Sequence, residues 1–173
     1  ALELADAPLF SKYANDWDIA RMTGSIPHPF PLVSTEVKIM TMLSRRRRGW
    51  AYPYASTTDG RDIIGIMDIM RRDENAQHEL AYWIARPFWH KGYAPEAAKA
   101  LLHEAIQKLG VTKFIAGTFA DNSASMKVLE RLGFRKTGPQ GKYYSIARLE
   151  HMETIGYEMD WDAIKTAGLH ASA

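Results

Sequence analysis

The stretch Tyr82-Trp83-Ile84-Ala85-Arg86-Pro87-Phe88-Trp89-His90-Lys91-Gly92-Tyr93-Ala94-Pro95-Glu96-Ala97 decides how the chain is read. Its first residues are strand formers, Pro87 interrupts them, and beyond Gly92 the apolar residues recur at helical spacing. Ala97, Ala98, Leu101, Leu102, Ala105, Ile106 and Leu109 fall on one face, so the pattern predicts a helix over Pro95 to Leu109. Pro95 and Glu96 suit its first turn and Gly110 its stop. A strand that passes into a helix through a small-residue loop can gather several backbone N–H groups at one point. The helix dipole adds about half a positive charge there. Gly92 and Ala94 leave room for an anion, and Lys91 adds a mobile cation. The spacing is neither a G-x-x-x-x-G-K-[ST] phosphate loop nor a G-x-G-x-x-G dinucleotide fingerprint. From the residues alone it reads as a diphosphate cradle or as a plain helix entry with a capping glycine.

Working outward, Glu79 to Ala85 is an apolar strand fit for the middle of a sheet, and Trp50 to Thr57 and Ile63 to Met70 are two more. The turn Thr58-Asp59-Gly60-Arg61 between the latter two is a hairpin signal. Toward the N-terminus, Asp6 caps a helix from Ala7 to Asn15, and Pro27, Pro29 and Pro31 make Ser25 to Leu32 a loop. Ser34 or Thr35 then starts a helix that carries Val37, Ile39, Met40 and Leu43 and ends in Arg45 to Arg48. Toward the C-terminus, Lys113 to Thr118 is a strand, and Asn122 caps a helix that Gly133 ends after Leu132. Phe134 opens another strand, and Met152 to Trp161 reads as a last one. Helices, then antiparallel strands, then strand–helix–strand–helix–strand make a mixed α/β sheet, read as one domain over residues 1–173.

Composition narrows the function classes. Lys and Arg number 22 against 20 Asp and Glu, a formal net charge of +2, which argues against a dedicated nucleic-acid coat protein. The chain has no cysteine, so disulfide frameworks, thiolate metal sites and a cysteine nucleophile are out. The histidines show no H-x-H or H-E-x-x-H spacing, and no metal site is expected. No apolar run approaches the roughly 20 residues that span a bilayer, and no signal peptide opens the chain. A cytoplasmic enzyme with no membrane partner is the expectation.

The loop Trp89-His90-Lys91-Gly92-Tyr93-Ala94 resembles the acetyl-CoA loop of the GNAT N-acetyltransferases, whose usual pattern is Gln/Arg-x-x-Gly-x-Gly/Ala. Trp in first position is typical of the RimJ/RimL-like branch, the ribosomal-protein N-terminal acetyltransferases; Pro95 replaces a frequent Thr. A second segment, Asn122-Ser123-Ala124-Ser125-Met126-Lys127-Val128-Leu129-Glu130-Arg131-Leu132-Gly133-Phe134, is similar to that branch's N-x-x-S-x-x-V-L-x-x-L-G-F helix. His28-Pro29-Phe30 is similar to one of its loops. The likeness runs from near residue 2 to about 138. The family's first strand would precede Leu2 and is missing or partial, and the segment after Gly138 matches weakly.

The resemblance implies a largely antiparallel sheet whose two central strands splay to admit acetyl-CoA, with helices on both faces. It implies direct transfer of acetyl to a primary amine. Such a reaction needs a diphosphate clamp, a polarised thioester carbonyl and routes for two protons. The amides of His90, Lys91, Gly92, Tyr93 and Ala94, with Trp89, are the implied clamp. The backbone of Trp83, Ile84 and Ala85 would pair with the pantetheine arm, although a core strand explains their composition equally. Asn122 is a helix cap, an arm-binding residue, or both. A general-acid Tyr often found in the family falls at Leu129 here, which leaves Ser125 or a water as proton donor; a first-turn serine is the plain alternative. Glu79, or less favourably His78, is the candidate general base.

Elsewhere, Arg45 to Arg48 read as a solvated helix end, with an acidic or RNA partner as the lesser reading. Trp17, Trp50 and Phe30 are cleft walls or core. Acids at Asp16, Asp18, Asp68 and Asp73 are scattered. The preferred acceptor is a protein or peptide α-amine. The alternatives are a small amine such as an aminoglycoside or polyamine, or a non-catalytic acyl-CoA-binding sensor. A homodimer is compatible with all three.

Overall fold

Pro53 has no N–H to give to a ladder and belongs at a sheet edge, which is where it lies. In the computed structural model, which describes residues 1–60, 62–72 and 77–169, six strands form one sheet of order β1-β2-β3-β4-β6-β5. They are β1 (Ala51–Thr57), β2 (Ile63–Arg71), β3 (His78–Ile84), β4 (Phe114–Phe119), β5 (Arg135–Ser145) and β6 (Glu150–Met159). Pro53 is in edge strand β1, and Leu2 donates its N–H to the Pro53 carbonyl at 3.4 Å. Arg61 of the expected turn, Asp73 and His170 lie outside the described residues.

Neighbouring strands are antiparallel except β3 and β4, which the crossover helix α4 (Tyr93–Leu109) forces to run parallel. The β2–β3 ladder is continuous from Arg71↔His78 to Gly65↔Ile84, whereas β3 and β4 pair only at His78↔Phe114 and Glu79↔Ile115. Past that point they part, as the splayed-strand expectation required.

Strand alternation sends β3 side chains to two different cores. Leu80 and Ile84 face α4, α5 (Ser123–Leu132) and α6 (Trp161–Thr166), whereas Trp83 faces the N-terminal helices. Those are α1 (Ala7–Ala14), α2 (Trp17–Ala20) and α3 (Leu32–Arg47). Burial from both sides makes residues 63–69 of β2 continuously buried, as expected for a central strand in a covered sheet. Among the described residues, no helix is long and apolar enough to cross a membrane.

Several boundaries differ from expectation for local reasons. Helix α3 begins at Leu32, because Pro31 in extended conformation serves as N-cap without needing a side-chain bond. Asp6 does not cap α1 with its side chain; its carboxylate takes the Glu3 N–H in a preceding 3₁₀ turn. The four-residue α2 was not expected, and is capped by Asp16 accepting from the Asp18 N–H. Trp161 starts α6 rather than ending β6, because Asp160 accepts the Ala163 N–H at 2.9 Å.

Candidate active site at the parting of two strands

Where β3 and β4 separate, the loop after β3 and the first turn of α5 come to the same opening. After Ile84 the chain makes a 3₁₀ turn (Arg86–Phe88), then turns sharply through left-handed backbone at His90 (φ 61°) and Gly92 (φ 85°) before α4 begins. Glycine adopts that conformation freely, and nothing lies within 4 Å of where a Gly92 Cβ would stand. Among the described residues, no carbonyl or side chain takes the N–H groups of His90, Lys91, Gly92, Tyr93 or Ala94. They face a helix N-terminus with no internal partner, which is what a bound diphosphate requires. The Lys91 ammonium stands 5.6 Å over the Phe88 ring.

The three strand residues behave differently from one another. Trp83 packs its ring on Phe10, centroids 5.0 Å apart, and Ile84 and Ala85 are buried. Ala85 donates its N–H to Ile64 O of β2 at 2.7 Å, so by alternation the backbone of Tyr82 and Ile84 turns toward the opening. One of those groups is already engaged: the Trp89 indole N–H donates to the Ile84 carbonyl at 2.6 Å. Trp89 thus has a structural task that fixes the loop against the strand, beside any contact with a ligand.

Ser125 sits in the first turn of α5, held by Asn122, whose Oδ1 accepts the Ser125 N–H at 3.1 Å. Tyr82 on β3 reaches across the opening to it. Its hydroxyl lies 2.9 Å from Ser125 Oγ and donates to the Ser125 carbonyl at 3.3 Å. Burial pushes the Tyr82 phenol up to about 12, against a smaller downward pull from the Ser125 bond, so it keeps its proton at neutral pH. Sequence reasoning did not single out Tyr82. The signal was its parity with Leu80 and Ile84, which puts it on the α5 side of the strand. Leu129 is buried in the core and can play no part in proton transfer.

Glu79 stands at the last β3–β4 pair, but on the opposite face from Ser125. Its carboxylate accepts from Arg72 Nε in an ion pair, and that bond raises the Arg72 guanidinium further above its ordinary value. His78 is buried on the α4 side, away from Glu79's face. On Glu79's face, Asp68 of β2 is only 5% exposed and accepts the Tyr52 N–H at 2.9 Å. Burial raises its carboxyl to about 6, against that backbone bond and the nearby Arg45, Lys38 and Arg72 charges. Lys38 of α3 donates to the Ser25 hydroxyl and carbonyl at 2.9 and 3.3 Å; burial and Arg45 lower its pKa.

Of the aromatic residues considered as cleft walls, Phe30 is core, packed on Phe10, and Trp50 is exposed beside the Arg71 guanidinium. Trp17, 46% exposed, lines a cleft of about 510 Å³ with Asp18, Arg21, Arg148 and Glu150. Asp16 and Asp18 pair with Arg86, tying α2 to the loop before α4. Arg148, from the β5–β6 turn, holds Asp121 at 2.7 Å and the Arg21 carbonyl at 2.6 Å, and stacks over Phe119. Arg45, Arg47 and Arg48 are exposed at the end of α3, and Arg46 lies over Tyr54.

A family model described as an acetyltransferase (GNAT) domain matches residues 1–135. The uncharacterised N-acetyltransferase p20 of Bacillus licheniformis is 28% identical over 140 residues, 79% of this chain and 78% of its own. The fold is similar to that of Mycobacterium smegmatis RimJ in complex with CoA-disulfide, with a TM-score of 0.82 at 17% identity over 96% of this chain and 87% of that one. It is also similar to ribosomal-protein-S5-alanine acetyltransferase from Vibrio fischeri, with a TM-score of 0.77 at 20% identity over 93% and 91% of the two chains.

Proposed function

The chain belongs to the GNAT acetyltransferase family, and from that premise we propose that it moves acetyl from acetyl-CoA directly to the α-amine of a protein or peptide. One observation carries the reading. The β3–β4 ladder stops at Glu79↔Ile115, with a run of unpartnered amides at one end of the opening and a Tyr82–Ser125 pair across it. The name of the ribosomal-protein-S5-alanine acetyltransferase structure supports a protein acceptor.

Bound acetyl-CoA supplies the acetyl thioester. The amides of His90 to Ala94 hold its diphosphate, with the helix dipole and Lys91 adding positive potential. The backbone of Tyr82 and Ile84 that faces the opening, and the Asn122 carboxamide, orient the arm. Ser125 Oγ gives a proton to the departing sulfur as the C–S bond breaks and is resupplied by the Tyr82 hydroxyl, 2.9 Å away, which takes a proton back from solvent once the CoA thiol leaves. On the other face, Glu79 takes the amine's proton through a water, its carboxylate held by Arg72.

Thiol release from acetyl-CoA, measured over free-amino peptides, aminoglycosides and polyamines, tests this. Turnover on peptides is expected. Turnover confined to the small amines would move the acceptor to that class. Tight acetyl-CoA binding with no turnover would favour a sensor, the reading to which the buried Leu129 lends weight.

A further inference from the structure

Segment Thr137-Gly138-Pro139-Gln140-Gly141 of β5 has no role in the reading above, yet its geometry is the most irregular of the sheet. Against β6 the register passes from Lys136↔Tyr157 to Gly138↔Gly156, and from Pro139↔Ile155 to Gly141↔Thr154. Thr137 and Gln140 are therefore extra residues, each a bulge, and Gly138 and Gly141 take positive φ (105° and 91°) around them. Bulges re-aim side chains, and here the one re-aimed is Gln140.

The Gln140 carboxamide lies across two paired glycines, Gly117 of β4 and Gly156 of β6. A Cβ on Gly117 would stand 3.6 Å from Gln140 Oε1. A Cβ on Gly156 would run into Gln140 Nε2 and stand 2.6 Å from Thr137 Oγ1. Parity puts this glycine floor on the same face as Glu79, since Phe114 and Ala116 point to the α4 core and Gly117 does not. Gly117 is two residues along β4 from the last β3–β4 pair, roughly 7 Å of strand. It is exposed although its strand is central. Gly156 beside it is buried under Gln140 and Thr137, so the open part of the trough is Gly117, beginning where the strands part and closed on its far side by the Gln140 carboxamide. Among the described residues, Gln140 exchanges no hydrogen bond through its carboxamide. The carboxylates bordering the trough are engaged: Glu79 by Arg72, and Glu158 by Lys113 at 3.0 Å.

We propose that Gln140 is the acceptor-reading residue: an amine-bearing chain lies over Gly117, and the Gln140 carboxamide, seated over Gly156, hydrogen-bonds its first peptide unit. The inference rests on the acetyl-transfer reading and sharpens its acceptor. A carboxamide offers a donor and an acceptor with no charge, the complement of a peptide carbonyl or N–H. A trough whose acids are paired has little to hold a polycation. With the amine at the parting of the strands, the next amide along the acceptor falls over Gly117, where the absence of a side chain permits a flat approach beside the Gln140 carboxamide.

The test compares Gln140→Ala and Gly156→Ala with the unaltered protein, following thiol release from acetyl-CoA with two probes. One is a mixture of free-amino tetrapeptides randomised at every position, and the other is spermidine, which has no amide. Each variant should raise KM for the peptide mixture about 10-fold, the loss of one hydrogen bond, with kcat and acetyl-CoA affinity within about two-fold. Any KM for spermidine should stay unchanged. Equal loss on both probes, weakened acetyl-CoA binding, an unmoved peptide KM, or turnover of spermidine alone would each overturn the proposal. No turnover of either probe by the unaltered protein would overturn the acetyl-transfer reading, and the assignment of Gln140 with it.

Discussion

The two faces of the sheet, where β3 leaves β4, are built from different materials. On the α4–α5 face the groups at the opening are backbone amides, a phenol and a hydroxyl, none charged apart from the flexible Lys91. On the α1–α3 face they are ions: Glu79 with Arg72, the buried Asp68, and Lys38. Alternation along one strand separates the two sets, since Tyr82 and Glu79 differ in parity. The difference teaches a division of labour. A ligand shared by a whole family can be held by main-chain geometry, which tolerates side-chain change. The face proposed to meet the acceptor is made of side chains from separate elements, which can vary one by one.

The largest effect expected from that contrast is on the amide face. Gly92→Glu puts a side chain at φ 85° and a negative charge among the amides, and should weaken acetyl-CoA binding about 100-fold or more, read by calorimetry. Gly92→Ala is the control: its Cβ meets nothing within 4 Å, so only the backbone strain of about 1–2 kcal/mol remains. Unchanged affinity in Gly92→Glu would mean that backbone geometry does not hold the cofactor.

Next in size, Ser125→Ala and Tyr82→Phe should each lower kcat about 10- to 100-fold with acetyl-CoA affinity within about two-fold. The hydroxyls are 2.9 Å apart, and in the proposed mechanism they form one relay, so the double variant should be little worse than the more damaged single one. Additive losses would separate the pair and return Ser125 to a helix-turn role. Glu79→Gln, on the ionic face, should lower kcat/KM about 10-fold near neutral pH and remove the acidic limb of the pH–rate profile. A profile identical to the parent's would leave Glu79 only its ion pair with Arg72.

The same contrast explains what was legible in the chain beforehand. The order of strands, α4 and its Gly92 entry, and the Asn122 cap follow from local periodicity and capping chemistry, which need no distant partner. The Gly-x-Ala spacing also made the amide face readable. Tyr82 was readable in principle by parity, but only once β3 was known to have different cores on its two sides. The ionic face was not readable: Arg72 meets Glu79 across the β2–β3 hairpin, and Lys38 comes from α3. Gln140 needed the two β5 bulges, which depend on the register against β6 and leave no periodic signature. The short α2 and α6 were missed because helices of four and six residues carry too few turns for a period to show.

The smallest effect tests whether the ionic face carries a stability penalty that the amide face lacks. Asp68 has its carboxyl raised to about 6 by burial, above the ordinary 3.8. The folded state therefore binds more protons than the unfolded one between those values, and stability falls as pH rises through that window. The unfavourable contribution is absent near pH 3, develops between about pH 4 and 6, and reaches about 2–3 kcal/mol at pH 7. In Asp68→Asn the carboxamide oxygen can still accept the Tyr52 N–H, so the substitution removes the charge and keeps the bond. Urea unfolding should then find the variant's stability advantage small at pH 4 and larger by about 2 kcal/mol at pH 7. Groups that titrate alike in both proteins cancel in the difference. An advantage that stays flat from pH 4 to 7 would mean that Lys38, Arg45 and Arg72 already compensate the charge, and that the two faces differ in chemistry without differing in stability.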